Sequence, residues 1–223
     1  MAGGSPPAGS ANVPGIEPQE ILVVVPVKDL RGTKSRLAPI LNPEARAGLT
    51  VYMMRRVVRA ALSAGVGEVC VVSPDIIVLS EAENVGATVI VQRGRGLNAA
   101  LEEEGRGVAV SREARAMLVL PADLPLVEPE DIGGLLDRAA DERMVISPDS
   151  GRTGTNALLV APPNGLEELC FGVGSFELHI RAAREAGLSV VEYGNDHLAF
   201  DLDTGLDLAR LEADDPGRVR RRA

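Results

Sequence analysis

From residue 21 onward the chain alternates short apolar runs with polar segments of helical period. Residues 21–27 (ILVVVPV) are continuously apolar and rich in β-branched side chains, which predicts a strand buried on both faces. Residues 68–73 (EVCVVS), 87–92 (ATVIVQ), 116–122 (AMLVLPA), 144–148 (MVISP), 155–161 (TNALLVA) and 189–193 (SVVEY) read as further strands, and residues 197–203 (HLAFDLD) as a short one. The first helix is marked by its start: Asn42 as N-cap, Pro43 in the first turn and Glu44 as an acidic first-turn residue. Leu49, Met53, Val57, Ala60 and Ala61 then recur at helical spacing up to Gly65. Helices are also expected over residues 97–112, 129–140, 176–186 and 206–212, with a weaker helical stretch near 75–84.

Strands alternating with helices predict an α/β fold, a mainly parallel mixed sheet covered by helices on both faces. Ligands of such open sheets lie beyond the carboxyl ends of the strands, so the residues just after each strand are the candidates for chemistry. No internal repeat or linker divides residues 20–215, and a chain of 223 residues suits one domain. Residues 1–19, rich in Gly, Pro, Ala and Ser, read as a flexible extension, and residues 216–223, with Arg218, Arg220, Arg221 and Arg222, as a solvated basic tail.

Composition narrows the partners. A net charge of −9 argues against a nucleic-acid or anionic-membrane binder, which needs a positive field, but leaves nucleotide binding open. No apolar run approaches the roughly 20 residues that span a bilayer, and the first residues lack the basic start and apolar stretch of an export signal. A soluble, cytoplasmic protein is expected. Cys70 and Cys170 stand in no metal-binding spacing and read as reduced core thiols, while His179 and His197 are each isolated.

The strand ends carry the chemistry. After residues 21–27 comes Lys28-Asp29-Leu30-Arg31-Gly32-Thr33-Lys34-Ser35-Arg36, whose cations suit a polyphosphate; an ordinary basic surface loop is the other reading. It lacks the Walker pattern GxxxxGK[ST]. Asp123 follows the run at 116–122, between Pro121 and Pro125, where a turn or cap is the ordinary role. Asp201 and Asp203, at i and i+2 of a segment read as extended, would face one side about 6–7 Å apart at the backbone. Carboxylates that close repel unless a cation or solvent lies between them, and oxygen-only ligands suit Mg²⁺. Thr155 follows a Gly-rich turn, and Gly172, Gly174 and Ser175 lead into a helix, a place that favours a phosphate.

With these residues in view, the chain resembles the 2-phospho-L-lactate or phosphoenolpyruvate guanylyltransferases of coenzyme F420 biosynthesis. The likeness spans residues 20–212 and rests on six segments in the family's order: VPVKDLRGTKSRL (25–37), GRGLNAAL (94–101), LPADLPLV (120–127), GTNALLV (154–160), FGVGSFELH (171–179) and LAFDLDTGLDL (198–208). The resemblance implies a single-domain, GT-A-like nucleotidyltransferase fold and GMP transfer from GTP to a phosphorylated three-carbon acid. It implies Mg²⁺ on Asp123, Asp201 and Asp203, and GTP phosphates near Lys28, Lys34 and Arg36, with Lys28 and Lys34 catalytic. It also implies the nucleoside near Ser73, Pro74, Gly96 and Asn98, and the acid's phosphate near Thr155, Gly172 and Ser175. Hand-over of an unstable product to the next pathway enzyme would follow. The rival readings are a nucleotidyltransferase with another acceptor, such as 3-phosphoglycerate or a sugar phosphate, and an inactive nucleotide-binding regulator. Against the first stands the absence of a GxGxRxG-type loop after the first strand; against the second, three acidic residues that a pure binder has little use for.

Overall fold

The computed structural model describes residues 15–214. Its strands are β1 (Ile21–Pro26), β2 (Glu68–Ser73), β3 (Thr88–Val91), β4 (Ala116–Val119), β5 (Arg143–Pro148), β6 (Thr155–Ala161) and β7 (Ser189–Glu192), in one sheet of order β3-β2-β1-β4-β6-β5-β7. Every pairing is parallel except the two made by β6, so β6 alone runs against its neighbours. The first residue of β6, Thr155, pairs with the last of β5, Pro148, so the start of β6 lies on the same sheet edge as the ends of the parallel strands.

The helices are α1 (Pro43–Ser63), α2 (Ile76–Glu83), α3 (Leu97–Ala99), α4 (Gly107–Ser111), α5 (Pro129–Leu136), α6 (Ser175–Glu185), α7 (Asp196–Ala199) and α8 (Gly205–Asp214). Residues 21–25 of β1 are all buried, with Ile21, Val23 and Val25 facing α1, α2 and α5, and Leu22 and Val24 facing Leu101 and Phe176 on the other side. The continuous apolar run is thus explained by two covered faces. Met53 and Met54 of α1 are fully buried, each contributing about 1.5–3 kcal/mol of hydrophobic stabilisation. Asn42 caps α1 as expected, its side chain accepting from the Ala45 N–H at 2.8 Å. A smaller cluster of Leu37, Met53, Leu202, Leu208 and Leu211 ties the basic loop, α1, α8 and the segment carrying Asp201 and Asp203 together.

Several expectations are corrected. The helix expected over 97–112 contains a π-helical stretch, Ala100–Arg106, between α3 and α4. There Gly105 packs on β1, where a Cβ would stand 3.0 Å from Val24 Cγ1. The helix expected to reach residue 140 ends at Leu136. Residues 197–203 are no strand: α7 is capped by the Asn195 side chain, which accepts from the Leu198 N–H at 2.9 Å, and the chain beyond it is irregular. The local caps outweigh the strand-like alternation. Within the expected extension, Gly15 bridges Ala140 and Ile16 is buried, its N–H donating to Ala139 O, so residues 15–19 pack on the domain. Residues 1–14 and the basic tail lie outside the described residues. Cys70 is buried, whereas Cys170 is only partly so and is no core thiol. Among the described residues, no helix is long and apolar enough to cross a membrane.

The turn into β2 leaves no room for a side chain at Gly67. Gly67 N donates to Pro18 O and Ile21 O, and a Cβ on Gly67 would stand 2.1 Å from Gln19 O. Gly67→Ala is therefore expected to lower stability by about 2–3 kcal/mol in urea unfolding, with an unchanged m-value. A wild-type midpoint would show that this backbone yields without cost.

Candidate active site

The ends of β1, β2, β3 and β4 open onto one cleft of ≈ 700 Å³. It is lined by the basic loop (Lys28, Lys34, Arg36), by Pro74, by Gln92 and Gly94–Gly96, by Asp123 and Asp203, and by Phe171. The basic loop is anchored from behind: Leu30 N–H donates to Asp75 Oδ2 at 3.0 Å, and the Thr33 and Thr50 hydroxyls share a hydrogen bond of 3.0 Å. Not all its cations are free for a ligand, since Arg31 is paired with Asp29 at 2.6 Å. That contact holds the Asp29 carboxyl down at about 2.

Lys34 occupies the centre. Its ammonium, on a side chain 8% exposed, donates to Asp123 Oδ2 and to Asp203 Oδ1, both at 2.8 Å. Burial alone would push its pKa down, but the two carboxylates outweigh it and the pKa is raised. Its backbone is left-handed, at φ 48 and ψ 44, which costs a non-glycine residue about 1 kcal/mol or more and is held by those two ion pairs. Arg36, largely exposed, reaches Asp203 at 3.6 Å.

Asp201 completes the acidic group. Burial first, then the charge on Asp123 and to a lesser degree that on Asp203, raise its pKa. The three aspartates therefore converge even though the strand expected beneath two of them is absent. The Leu202 N–H bonds Asp123 O at 3.0 Å and holds the segment against the end of β4. Asn156, at the start of β6, donates to Leu198 O at 3.0 Å and to Asp201 Oδ1 at 3.4 Å. Among the described residues, no group of three or more Asp, Glu, His or Cys side chains is arranged so that it could hold a metal ion, the Lys34 ammonium standing between Asp123 and Asp203 instead.

Sequence comparison joins this geometry to a family. The profile described as "Guanylyl transferase CofC like" matches residues 21–217. The chain belongs to the CofC-like guanylyl transferase family. It is 54% identical over 194 residues to the phosphoenolpyruvate guanylyltransferase of Rubrobacter xylanophilus, covering 86% of this chain and 94% of that one. It is 38% identical over 189 residues to the 2-phospho-L-lactate guanylyltransferase of Methanothermobacter thermautotrophicus, covering 84% and 82%. Among solved structures, a protein assigned as a nucleotide-diphospho-sugar transferase from Desulfovibrio desulfuricans superposes with a TM-score of 0.71 at 18% identity, covering 92% of this chain and 91% of that one. That likeness shows the nucleotidyltransferase fold and no more.

Of the residues expected near the nucleoside, two line the cleft and two bond within the chain. Pro74 and Gly96 line the cleft, Gly96 with φ 95, a conformation glycine adopts without strain. Ser73 is fully buried, and its Oγ accepts from the Asp75 N–H at 3.1 Å. Asn98 spends its amide on the backbone of Phe171, accepting from its N–H at 2.9 Å and donating to its oxygen at 3.1 Å. Both residues shape the wall and neither lines it. Gln92 was not singled out from the sequence, yet its Nε2 donates to Gly94 O at 2.9 Å and Gly96 O at 3.1 Å, holding the loop at the mouth.

Thr155, Gly172 and Ser175, expected near the acid's phosphate, do not line this cleft. Ser175 and Thr155 are buried, with Ser175 Oγ donating to Thr155 Oγ1 at 3.1 Å. Gly172 is exposed with φ 132, and the Ser175 N–H donates back to Gly172 O at 3.1 Å. His179 is fully buried beside them, whereas His197 is half-exposed and pairs with Asp131 at 2.8 Å.

Proposed function

We propose that the protein transfers GMP from GTP to a phosphorylated three-carbon acid and releases pyrophosphate, as a cytoplasmic step of coenzyme F420 biosynthesis. The observation that carries this reading is the meeting of the Lys28–Arg36 loop with Asp123 and Asp203 in one cleft of a guanylyl transferase family member, with Asp201 close enough to feel both charges. Phosphoenolpyruvate is the favoured acceptor, because the 54% identical relative is named for it and the 2-phospho-L-lactate enzyme is 38% identical.

The donor set fits Mg²⁺: the groups are carboxylate oxygens, burial and then the charges of its neighbours raise Asp201, and a cation already stands between Asp123 and Asp203. Asp123, Asp201 and Asp203 would hold it. When bound, Mg²⁺ supplies positive charge that lets donor and acceptor phosphates approach. Lys28, Lys34 and Arg36 neutralise the triphosphate and draw charge from the departing pyrophosphate. Thr155, Gly172 and Ser175 orient the acid. Its phosphate, a dianion above a pKa of about 6, attacks the α-phosphorus without help from a base. His179 is no candidate for that task, since both its ring nitrogens are engaged in the buried wall.

The test is pyrophosphate release with Mg²⁺ and GTP, comparing phosphoenolpyruvate, 2-phospho-L-lactate and 3-phosphoglycerate, with ATP, CTP and UTP as controls and the product identified by mass. Release with GTP and phosphoenolpyruvate is expected. Turnover with 3-phosphoglycerate alone, or Mg²⁺-dependent GTP binding with no turnover at all, would favour the other-acceptor or regulatory readings.

A further inference from the structure

Thr155, Ser175 and His179 form a hydrogen-bonded set in which none is more than 5% exposed. Valence determines its directions. The Cys170 N–H donates to His179 Nε2 at 3.0 Å, so Nε2 presents a lone pair and the ring's hydrogen sits on Nδ1. Nδ1 therefore donates to Thr155 Oγ1, 3.0 Å away. Ser175 Oγ donates to the same oxygen at 3.1 Å. Both lone pairs of Thr155 Oγ1 are then filled, and its own hydrogen must point out of the set. Among the described residues, no acceptor takes it. Burial pushes His179 down to about 4, which keeps the ring neutral and this tautomer in place at physiological pH.

We propose that His179 is a positioning residue for the acceptor: by donating through Nδ1 to Thr155 Oγ1, it makes the Thr155 hydroxyl an obligatory donor toward an anionic group of the phosphorylated acid. The inference rests on the assignment of Thr155, Gly172 and Ser175 to the acceptor. The same ring holds the loop through Cys170, and its edge meets Phe171, which lines the cleft, at a centroid distance of 4.9 Å. Were Nδ1 unprotonated, Thr155 could spend its hydrogen on the ring and offer the ligand none.

Two substitutions separate the ring's two bonds. In His179→Asn an amide N–H lies near the former Nδ1, so Thr155 keeps its donor; in His179→Gln the amide reaches the former Nε2 and serves Cys170 alone. The readouts are KM for phosphoenolpyruvate and for GTP in pyrophosphate release, with calorimetric Kd for phosphoenolpyruvate and thermal melting. His179→Asn is expected to stay within about threefold of wild type, and His179→Gln to raise KM and Kd for phosphoenolpyruvate roughly tenfold, with KM for GTP unchanged. Equal losses in the two variants, parallel shifts in both KM values, or a wild-type-like Gln variant would overturn the inference. If neither variant folds, Thr155→Val replaces them: the same tenfold acid-specific loss supports the inference, and an unchanged KM overturns it. Wild-type protein that neither binds nor turns over either acid sinks the proposed function first, and this inference with it.

Discussion

Asp201→Asn is expected to reduce guanylyl transfer by about 10³-fold or more while leaving the fold as stable as wild type, or more stable by roughly 0.5–1 kcal/mol in metal-free buffer. The activity loss follows from removing one of three converging negative charges that would hold the metal. The stability gain follows from the same charge seen by the fold. Burial and the nearby Asp123 and Asp203 disfavour the ionised form, and the isosteric amide removes that repulsion. Packing is preserved, because the amide oxygen can still accept from Asn156 Nδ2, which also stays bonded to Leu198 O. Thermal melting in EDTA and pyrophosphate release at saturating Mg²⁺ give the two numbers. A variant that turns over at the wild-type rate removes Asp201 from the metal site. A variant that is several kcal/mol less stable would mean that the carboxylate serves the fold instead.

That opposition between stability and function was partly legible in the sequence. The apolar runs located all seven strands; those of the interior strands β1, β4 and β6 are continuous because both faces of the sheet are covered there, while the edge strands β3 and β7 stay partly exposed. Asp201 and Asp203 were legible as a pair, but the strand proposed beneath them was not real. Asn195 caps a single helical turn there, and the Leu202 N–H to Asp123 O bond, a contact across 79 positions of sequence, places the pair. No local pattern encodes such a contact.

The wall of the cleft around Gly94–Gly96 and Phe171 shows a different limit. Asn98 lies in α3, beside the loop at the cleft mouth where a ligand contact is reasonable, yet its amide closes a two-way clamp on Phe171, distant in sequence. Gln92 does the comparable work for Gly94 and Gly96 and follows β3 without any mark of its own. The role of a polar side chain depends on which backbone groups the fold leaves unpaired beside it, and those are known only once the loops are placed. The reversal of β6 was equally hidden. It is what brings Thr155 and Asn156 to the edge where the parallel strands end, at the start of a strand rather than its end.

Lys34→Met isolates the interaction at the centre of the cleft. The Lys34 ammonium bridges Asp123 and Asp203 in the place where a cation is most favoured, so removing it leaves three carboxylates facing one another. In EDTA the variant is expected to lose about 1–2 kcal/mol, a figure kept small because the aspartates are partly exposed to water. Adding Mg²⁺ should restore the loss, since an ion bound only by the folded state stabilises it by mass action. In wild type the divalent ion has to compete with the ammonium for Asp123 and Asp203; in the variant it does not. Without nucleotide, the variant should therefore bind Mg²⁺ several-fold more tightly in calorimetry and show the larger rise in melting temperature. Transfer should nonetheless fall about 10²–10³-fold, because the charge that Lys34 offers the triphosphate is gone. Wild-type Mg²⁺ affinity in the variant would mean that the ammonium and the metal occupy separate places, and the carboxylates assigned to the metal would have to be reassigned.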